Sequence, residues 1–221
     1  MSKAKARKPK TARAKPEGRL LALEGTIGRE LDRGADQMLE LLNGASKSTG
    51  CSKWDASNTF YELRIGKAKR LSPPPRALLL LYAADLFFRL RWEIRPALAE
   101  GYTVLAAPYL ETAIAFGRAA GLSKEWLDEL FSFAPKPEAC FRIKEKAKVK
   151  GKRKNKDKEG RPAAGFVECG EKSLAASFPN LDAVELRRRT LAHFDDLEAK
   201  GEIQRLGKKL PKALKLAEPR R

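Results

Sequence analysis

Apolar positions in this chain follow two rhythms, short unbroken runs and longer stretches at helical spacing. The run "RLLALE", residues 19–24, stops at a Gly-x-x-Gly turn and predicts a buried strand. Over residues 30–42, Leu31, Ala35, Met38, Leu39 and Leu42 recur every three or four positions, which predicts an amphipathic helix. Strand, glycine turn and helix form the first half of a βαβ unit. Residues 44–72 are less patterned. "KSTGCSKW" predicts a second, weak strand, and "SNTFYELRIGKAKRL" a short helix capped at Ser57 or Asn58.

The stretch "SPPPRALLLLYAADLFFRLRWEIRPALAEG" opens with prolines, which suit a helix start, and closes at Gly101, which suits a helix end. Nearly every face is apolar between Leu78 and Phe88, so the pattern predicts a central, mostly buried helix, bent near Pro96. "YTVLAA" (102–107) reads as a strand, "ETAIAFGRAAG" and "SKEWLDELFSFA" as helices, and "EACFRI" (138–143) as a fourth strand. "LDAVELRRRTLAHFDDLEAKG" predicts a late helix and "EIQRL" a last strand. Buried strands alternating with helices indicate an α/β fold, a parallel sheet with helices on both faces. No internal repeat is visible.

Charge changes the picture at three places. The formal net charge is +18, but residues 1–18 carry about +6, 142–161 about +8 and 205–221 about +6, which leaves the remainder slightly acidic. The expected organisation is therefore a basic arm (1–18), one domain (19–206) with a basic insert at 144–161, and a basic tail (207–221). Such tracts have too few apolar groups to offset chain entropy, and they suit anionic partners such as nucleic acid or nucleotide phosphates. Solubilising or nonspecific tails are the plainer reading. Three scattered cysteines and one histidine argue against a zinc site or a disulfide framework. Asp85 and Arg89 interrupt the longest apolar run, and the N-terminus has basic residues without an apolar core, so neither a membrane span nor a secretory signal is expected. A cytoplasmic location is the default expectation.

The stretch "LALEGTIGRELDRGADQML" (21–39) has the layout of a phosphate-binding loop, an apolar run, a glycine turn and a helix. It lacks the lysine and hydroxyl that such a loop carries.

Four segments in order, "LALEG", "LLLLYAAD", "IRPALAEGYTVLAAPYLETAIAFGRAAGL" and "KPEACFRI", resemble thymidylate kinases of the P-loop nucleoside monophosphate kinase fold. The resemblance covers residues 19 to about 143, and the central block follows the family spacing without a gap. It implies phosphoryl transfer from ATP to dTMP with Mg²⁺ as cofactor, and a homodimer formed through a helical face. Against the family loop "EGxxGxGKST", Glu24, Gly25 and Gly28 fall in place, while Glu30, Leu31 and Asp32 stand where the last glycine, the lysine and the hydroxyl belong. That glycine lets backbone N–H groups approach the phosphates, the lysine offsets their charge, and the hydroxyl holds Mg²⁺. Arg29 and Arg33 are the cations nearest the degenerate loop. On the acceptor side, Ala107, Pro108 and Tyr109 replace Asp-Arg-Tyr, and Leu86 replaces an arginine after "AAD". Tyr82 stands where a family phenylalanine stacks on thymine, Thr112 where a serine sits, and Phe116 where a tyrosine sits, with Asp85 retained beside them. Packing in the core would explain an aromatic at 82 or 116 equally well. The resemblance thus implies a nucleotide site whose phosphoryl-transfer chemistry is impaired or lost; a non-catalytic nucleic-acid or polyanion binder on a kinase scaffold is the alternative.

Three further features stay outside that frame. "GASKST" (44–49) resembles the end of a phosphate loop but follows a helix, where its amides would not converge on one phosphate. The lysine-rich insert, near where the family carries a mobile lid, reads as a flexible anion-binding loop, and Arg187, Arg188 and Arg189 as a solvated helix face. His193 has no nucleophile in a recognisable spacing and is expected at the surface or at a helix cap.

Overall fold

The computed structural model describes residues 18–26, 28–44, 48–63, 73–143 and 183–207. The basic arm, the insert with its lid-like position, residues 64–72 and the end of the basic tail lie outside the described residues.

Five strands form one parallel sheet in the order β2-β3-β1-β4-β5. They are β1 (Arg19–Glu24), β2 (Thr49–Lys53), β3 (Thr103–Ala107), β4 (Ala139–Arg142) and β5 (Gln204–Arg205). The helices are α1 (Gly28–Asn43), α2 (Thr59–Glu62), α3 (Pro75–Arg89), α4 (Arg95–Ala99), α5 (Glu111–Ala119), α6 (Lys124–Leu130) and α7 (Ala183–Ala199). Strand β1 is central, with Leu21 opposite Leu105 of β3 on one side and Ala139 of β4 on the other. Because strand side chains alternate, β1 serves two cores. Leu20 and Ala22 face a layer with Leu78, Leu79, Tyr82, Leu86, Phe116 and Leu127. Leu21 and Leu23 face a second layer with Leu31, Ala35, Met38, Leu42 and Phe141. The helical spacing seen in 30–42 is thus the inward stripe of α1.

The central helix departs from its expected burial. Leu78, Leu79, Tyr82, Asp85, Leu86 and Arg89 are buried, but Leu80, Phe87 and Phe88 are 53%, 54% and 37% exposed, and Trp92 is 65% exposed. One sheet face can cover only one side of α3, so an all-round apolar sequence leaves its outer stripe uncovered. Near Pro96 the chain widens into a π-helical segment, Leu90–Ile94, before α4 begins. Proline has no N–H to continue the α-helical ladder, and a π turn just before it absorbs that break.

Helix α2 covers Thr59–Glu62, and residues 64–71 of the predicted stretch lie outside the described residues. Asn58 occupies its cap position at φ 61° without a side-chain cap bond. Asp55 does the capping instead, accepting from the N–H groups of Phe60 (2.9 Å) and Tyr61 (3.0 Å). No helix among the described residues is long and apolar enough to cross a membrane.

Candidate functional site

In an open parallel sheet, ligands meet the carboxyl ends of the strands. Three of those ends converge here: β1 at Glu24, β2 at Lys53, and β3 at Ala107, which leads into a cis Ala107–Pro108 bond. Glu24 is fully buried. Its Oε2 accepts from Tyr109 N (3.2 Å), Thr112 N (3.1 Å) and Thr112 Oγ1 (2.6 Å), and its Oε1 from Glu111 N (3.1 Å). The carboxyl therefore satisfies amides at the start of α5 that have no intrahelical acceptor. Gly25 N donates to Thr112 Oγ1 at 3.2 Å, so the same hydroxyl ties the glycine turn to α5. Burial pushes the Glu24 carboxyl up, opposed by the Thr112 hydrogen bond and aided by the nearby Glu111 charge, to about 7.

The turn itself is closed by apolar groups. A Cβ on Gly25 would lie 2.5 Å from Ile143 Cδ1, and one on Gly34 would lie 2.6 Å from Ile143 Cγ2, so this side chain at the end of β4 is wedged between the turn and α1. Leu31 is 3% exposed and belongs to the same apolar layer. Of the acids around it, Asp32 is solvent-exposed, whereas Glu30 buries Oε2 without a hydrogen-bond partner among the described residues. Burial raises the Asp32 carboxyl above its usual range, against the Lys53 charge. Positions 30–32 thus present a carboxylate, a buried isobutyl group and a second carboxylate.

On the other side, Tyr82 is fully buried and donates from its hydroxyl to the Tyr109 carbonyl. Its ring is stacked with Trp54, centroids 5.5 Å apart at 16°, and meets Phe131 edge-on at 6.1 Å. Burial, with smaller contributions from nearby charges, pushes the Tyr82 hydroxyl well above its ordinary value. Asp85 accepts from the backbone N–H groups of Asp55 (3.3 Å) and Ser57 (2.9 Å). Arg89, also fully buried, donates from Nε to Ser52 Oγ (2.9 Å), from Nη1 to Pro108 O (2.9 Å) and from Nη2 to Ser52 O (2.7 Å). Ser52 Oγ donates in turn to Glu93 Oε2 at 2.6 Å.

The residues singled out in the sequence fall into groups. Glu24, Gly25, Tyr109 and Thr112 form one hydrogen-bonded cluster, and Tyr82 joins it through the Tyr109 carbonyl. Phe116 lies in the apolar layer beside Tyr82. Asp85 faces the 54–57 turn. Gly28 opens α1, Arg33 is exposed on α1, and the Arg29 side chain is outside the described residues. His193 is half-buried, with Nε2 2.7 Å from Oε2 of Glu111 in the first turn of α5. Arg188 and Arg189 are exposed on α7. The sequence reading missed Trp54 and Arg89. Arg89 had a usable signal, since it lies seven residues after Tyr82 and so on the same face of α3.

A sheet in this order, with a glycine turn between β1 and α1, defines the P-loop nucleoside monophosphate kinase fold. No family model matches the chain. It is 33% identical to the thymidylate kinase of Xanthomonas oryzae pv. oryzae over 133 residues, 59% of this chain and 58% of that one. Against the probable thymidylate kinase 2 of Saccharolobus solfataricus it is 26% identical over 167 residues, 73% of this chain and 76% of the relative. The probable thymidylate kinase of Pyrobaculum aerophilum is 40% identical over 67 residues, 30% of this chain, and the match spans about a third of that relative's length (35%). A solved thymidylate kinase from Ehrlichia chaffeensis superposes with a TM-score of 0.60 over 89% of this chain and 90% of that one, at 15% identity, and shares the fold. The chain is thus similar in sequence to thymidylate kinases and shares their fold.

The Glu24 carboxyl makes stability depend on pH. Between its ordinary value of 4.5 and about 7 the folded chain retains a proton that the unfolded chain has lost, so stability should fall as pH rises through this window and level off above it. At ~1.4 kcal/mol per pKa unit the total effect is roughly 3 kcal/mol. Denaturant unfolding from pH 4.5 to 8 should show this decline in the native chain, and Glu24→Gln should flatten it; an equal slope in both would assign the effect to other groups.

Proposed function

We propose that this chain is a thymidylate kinase-like protein in which phosphoryl transfer from ATP to dTMP is impaired or lost. The observation that carries the reading is the chemistry at positions 30–32, where the loop offers Glu30 and Asp32 around a core leucine. Phosphoryl transfer relies on positioned cations and metal to stabilise charge on the moving group. Two carboxylates would repel a polyphosphate, and no hydroxyl stands at position 32 to hold Mg²⁺. The residues at this loop do not fit Mg²⁺·ATP, and we derive no catalytic step through it. On the acceptor side Ala107 and Leu86 are buried apolar residues in the positions of the family's aspartate and arginine.

Nucleic-acid binding through the basic tracts is the second reading, supported by the concentration of the +18 charge into three segments. Homodimerisation belongs to the first: Leu80, Phe87, Phe88 and Trp92 form an exposed apolar stripe on α3 and the π segment, the kind of patch that monomers rarely leave uncovered.

Purified protein with Mg·ATP and dTMP should form ADP at least a thousandfold more slowly than the roughly 1–100 s⁻¹ typical of kinases. The triple variant Glu30→Gly, Leu31→Lys, Asp32→Ser is the matched control for the loop, and turnover near the normal range by the unmutated chain would reject impairment. Binding to single-stranded DNA or RNA should weaken steeply with salt and disappear when residues 1–18 and 144–161 are deleted; salt-independent binding rejects the second reading. Sedimentation velocity should show a dimer that Phe87→Asp converts to monomer, whereas an unmutated monomer at micromolar concentration removes the dimer.

A further inference from the structure

Tyr82 is stacked against a ring of its own chain. We propose that Trp54 is a built-in plug of the base pocket, its indole occupying the space beside Tyr82 that a pyrimidine base would need. The proposal rests on the thymidylate kinase-like reading of position 82 given above.

Three observations support it. The first is occupancy. Tyr82 has no exposed surface, with Trp54 nearly parallel to its ring at 5.5 Å and Phe131 edge-on at 6.1 Å. Phe60 meets the indole edge-on, with ring centroids 4.0 Å apart. A planar base cannot reach the Tyr82 ring unless the indole leaves.

The second is the way the indole is held. Trp54 N donates to Ala107 O at 3.2 Å, which fixes its backbone to the end of β3. Two residues earlier, Arg89 grips both the carbonyl and the hydroxyl of Ser52. Just after it, Asp85 takes the N–H groups of Asp55 and Ser57. Asp55 then caps α2 at Phe60 and Tyr61, which seats Phe60 against the indole.

The third is the cost of this arrangement. Asp85 and Arg89 are both fully buried charged residues on the α3 face that also carries Tyr82. Burying charge is unfavourable unless hydrogen bonds compensate it. Apart from one bond from Arg89 to the Pro108 carbonyl, those hydrogen bonds go to residues 52–57, the end of β2 and the turn that deliver Trp54, so the segment is fixed from both flanks. A side chain swinging freely over a ligand pocket would not have its backbone tied at residues 52, 54, 55 and 57.

Removing the indole should leave a slot lined by Tyr82, Phe60 and Phe131, the shape and chemistry that accept a planar pyrimidine nucleoside. Thymidine is the probe, because it has no phosphate and so does not test the loop at positions 30–32. Calorimetric titration of the full chain with thymidine should show no binding up to millimolar concentration, and Trp54→Ala should bind at least tenfold more tightly. Thymidine binding by the unmutated chain, or a folded Trp54→Ala that gains nothing, overturns the plug. If Trp54→Ala does not fold, Trp54→Leu fills part of the gap and is judged by the same criterion. A second measurement uses the unmutated position: in a Trp92→Phe, Trp126→Phe background, Trp54 emission should be unchanged by thymidine, and a saturable change overturns the proposal. Thymidine binding without ADP formation would sink the plug and leave the impaired-kinase reading intact. ADP formation at a normal rate would sink that reading itself.

Discussion

The carboxyl of Glu24 joins segments that lie more than eighty residues apart in the chain, and the candidate site is built around that junction. It ends β1, caps the first amides of α5, and through the Thr112 hydroxyl fixes the glycine turn that leads into α1. A buried carboxyl is costly unless its lone pairs are used, and here four donors use them. The turn's shape therefore depends on a capping interaction and needs no bound phosphate to explain it. A phosphate-binding loop has two separable parts, a backbone geometry and the charges it presents. This chain retains the anchor of the first while Glu30, Leu31 and Asp32 replace the second.

The apolar closure of the turn follows from the same separation. Where a loop must admit a polyphosphate, space and cations have to be kept at its mouth. Leu31 instead joins Leu21, Leu23 and Ile143 in the layer beneath α1, and Ile143 fills the gap against Gly25 and Gly34. Each of these contacts adds to packing, and buried apolar surface stabilises by roughly 25 cal/mol per Å². A leucine at position 31 is thus part of the core.

Much of the fold was legible in the sequence because its signals are local. "RLLALE" is β1 to the residue, and the three-four spacing of Leu31, Ala35, Met38 and Leu42 is the buried stripe of α1. The exposed side of α3 was illegible for a physical reason: an apolar sequence says what a helix could bury, and only the sheet's extent decides what it does bury. The site divides the same way. Glu24, Gly25, Tyr109 and Thr112 were singled out by the resemblance to thymidylate kinases, and they do meet. Trp54 could not be singled out, since its place arises from contacts across β2, α3 and β3 that no periodicity records, and for Arg89 the helical spacing gave the face but not the partners.

Arg89 shows how such a residue can be understood after the fact. The arginine expected after "AAD" is Leu86, buried against the sheet, and one turn further on the same face stands Arg89. Leu86 packs into the apolar layer, whereas the cation at 89 faces the backbone carbonyls of Ser52 and Pro108 at the ends of β2 and β3. Strand ends at this edge of a parallel sheet present carbonyls that have no further strand residue to pair with, and a guanidinium with five donors can satisfy several at once. The charge at 89 therefore holds the protein's own backbone. In this arrangement Glu24 holds the turn, and Asp85 and Arg89 hold the segment that carries Trp54.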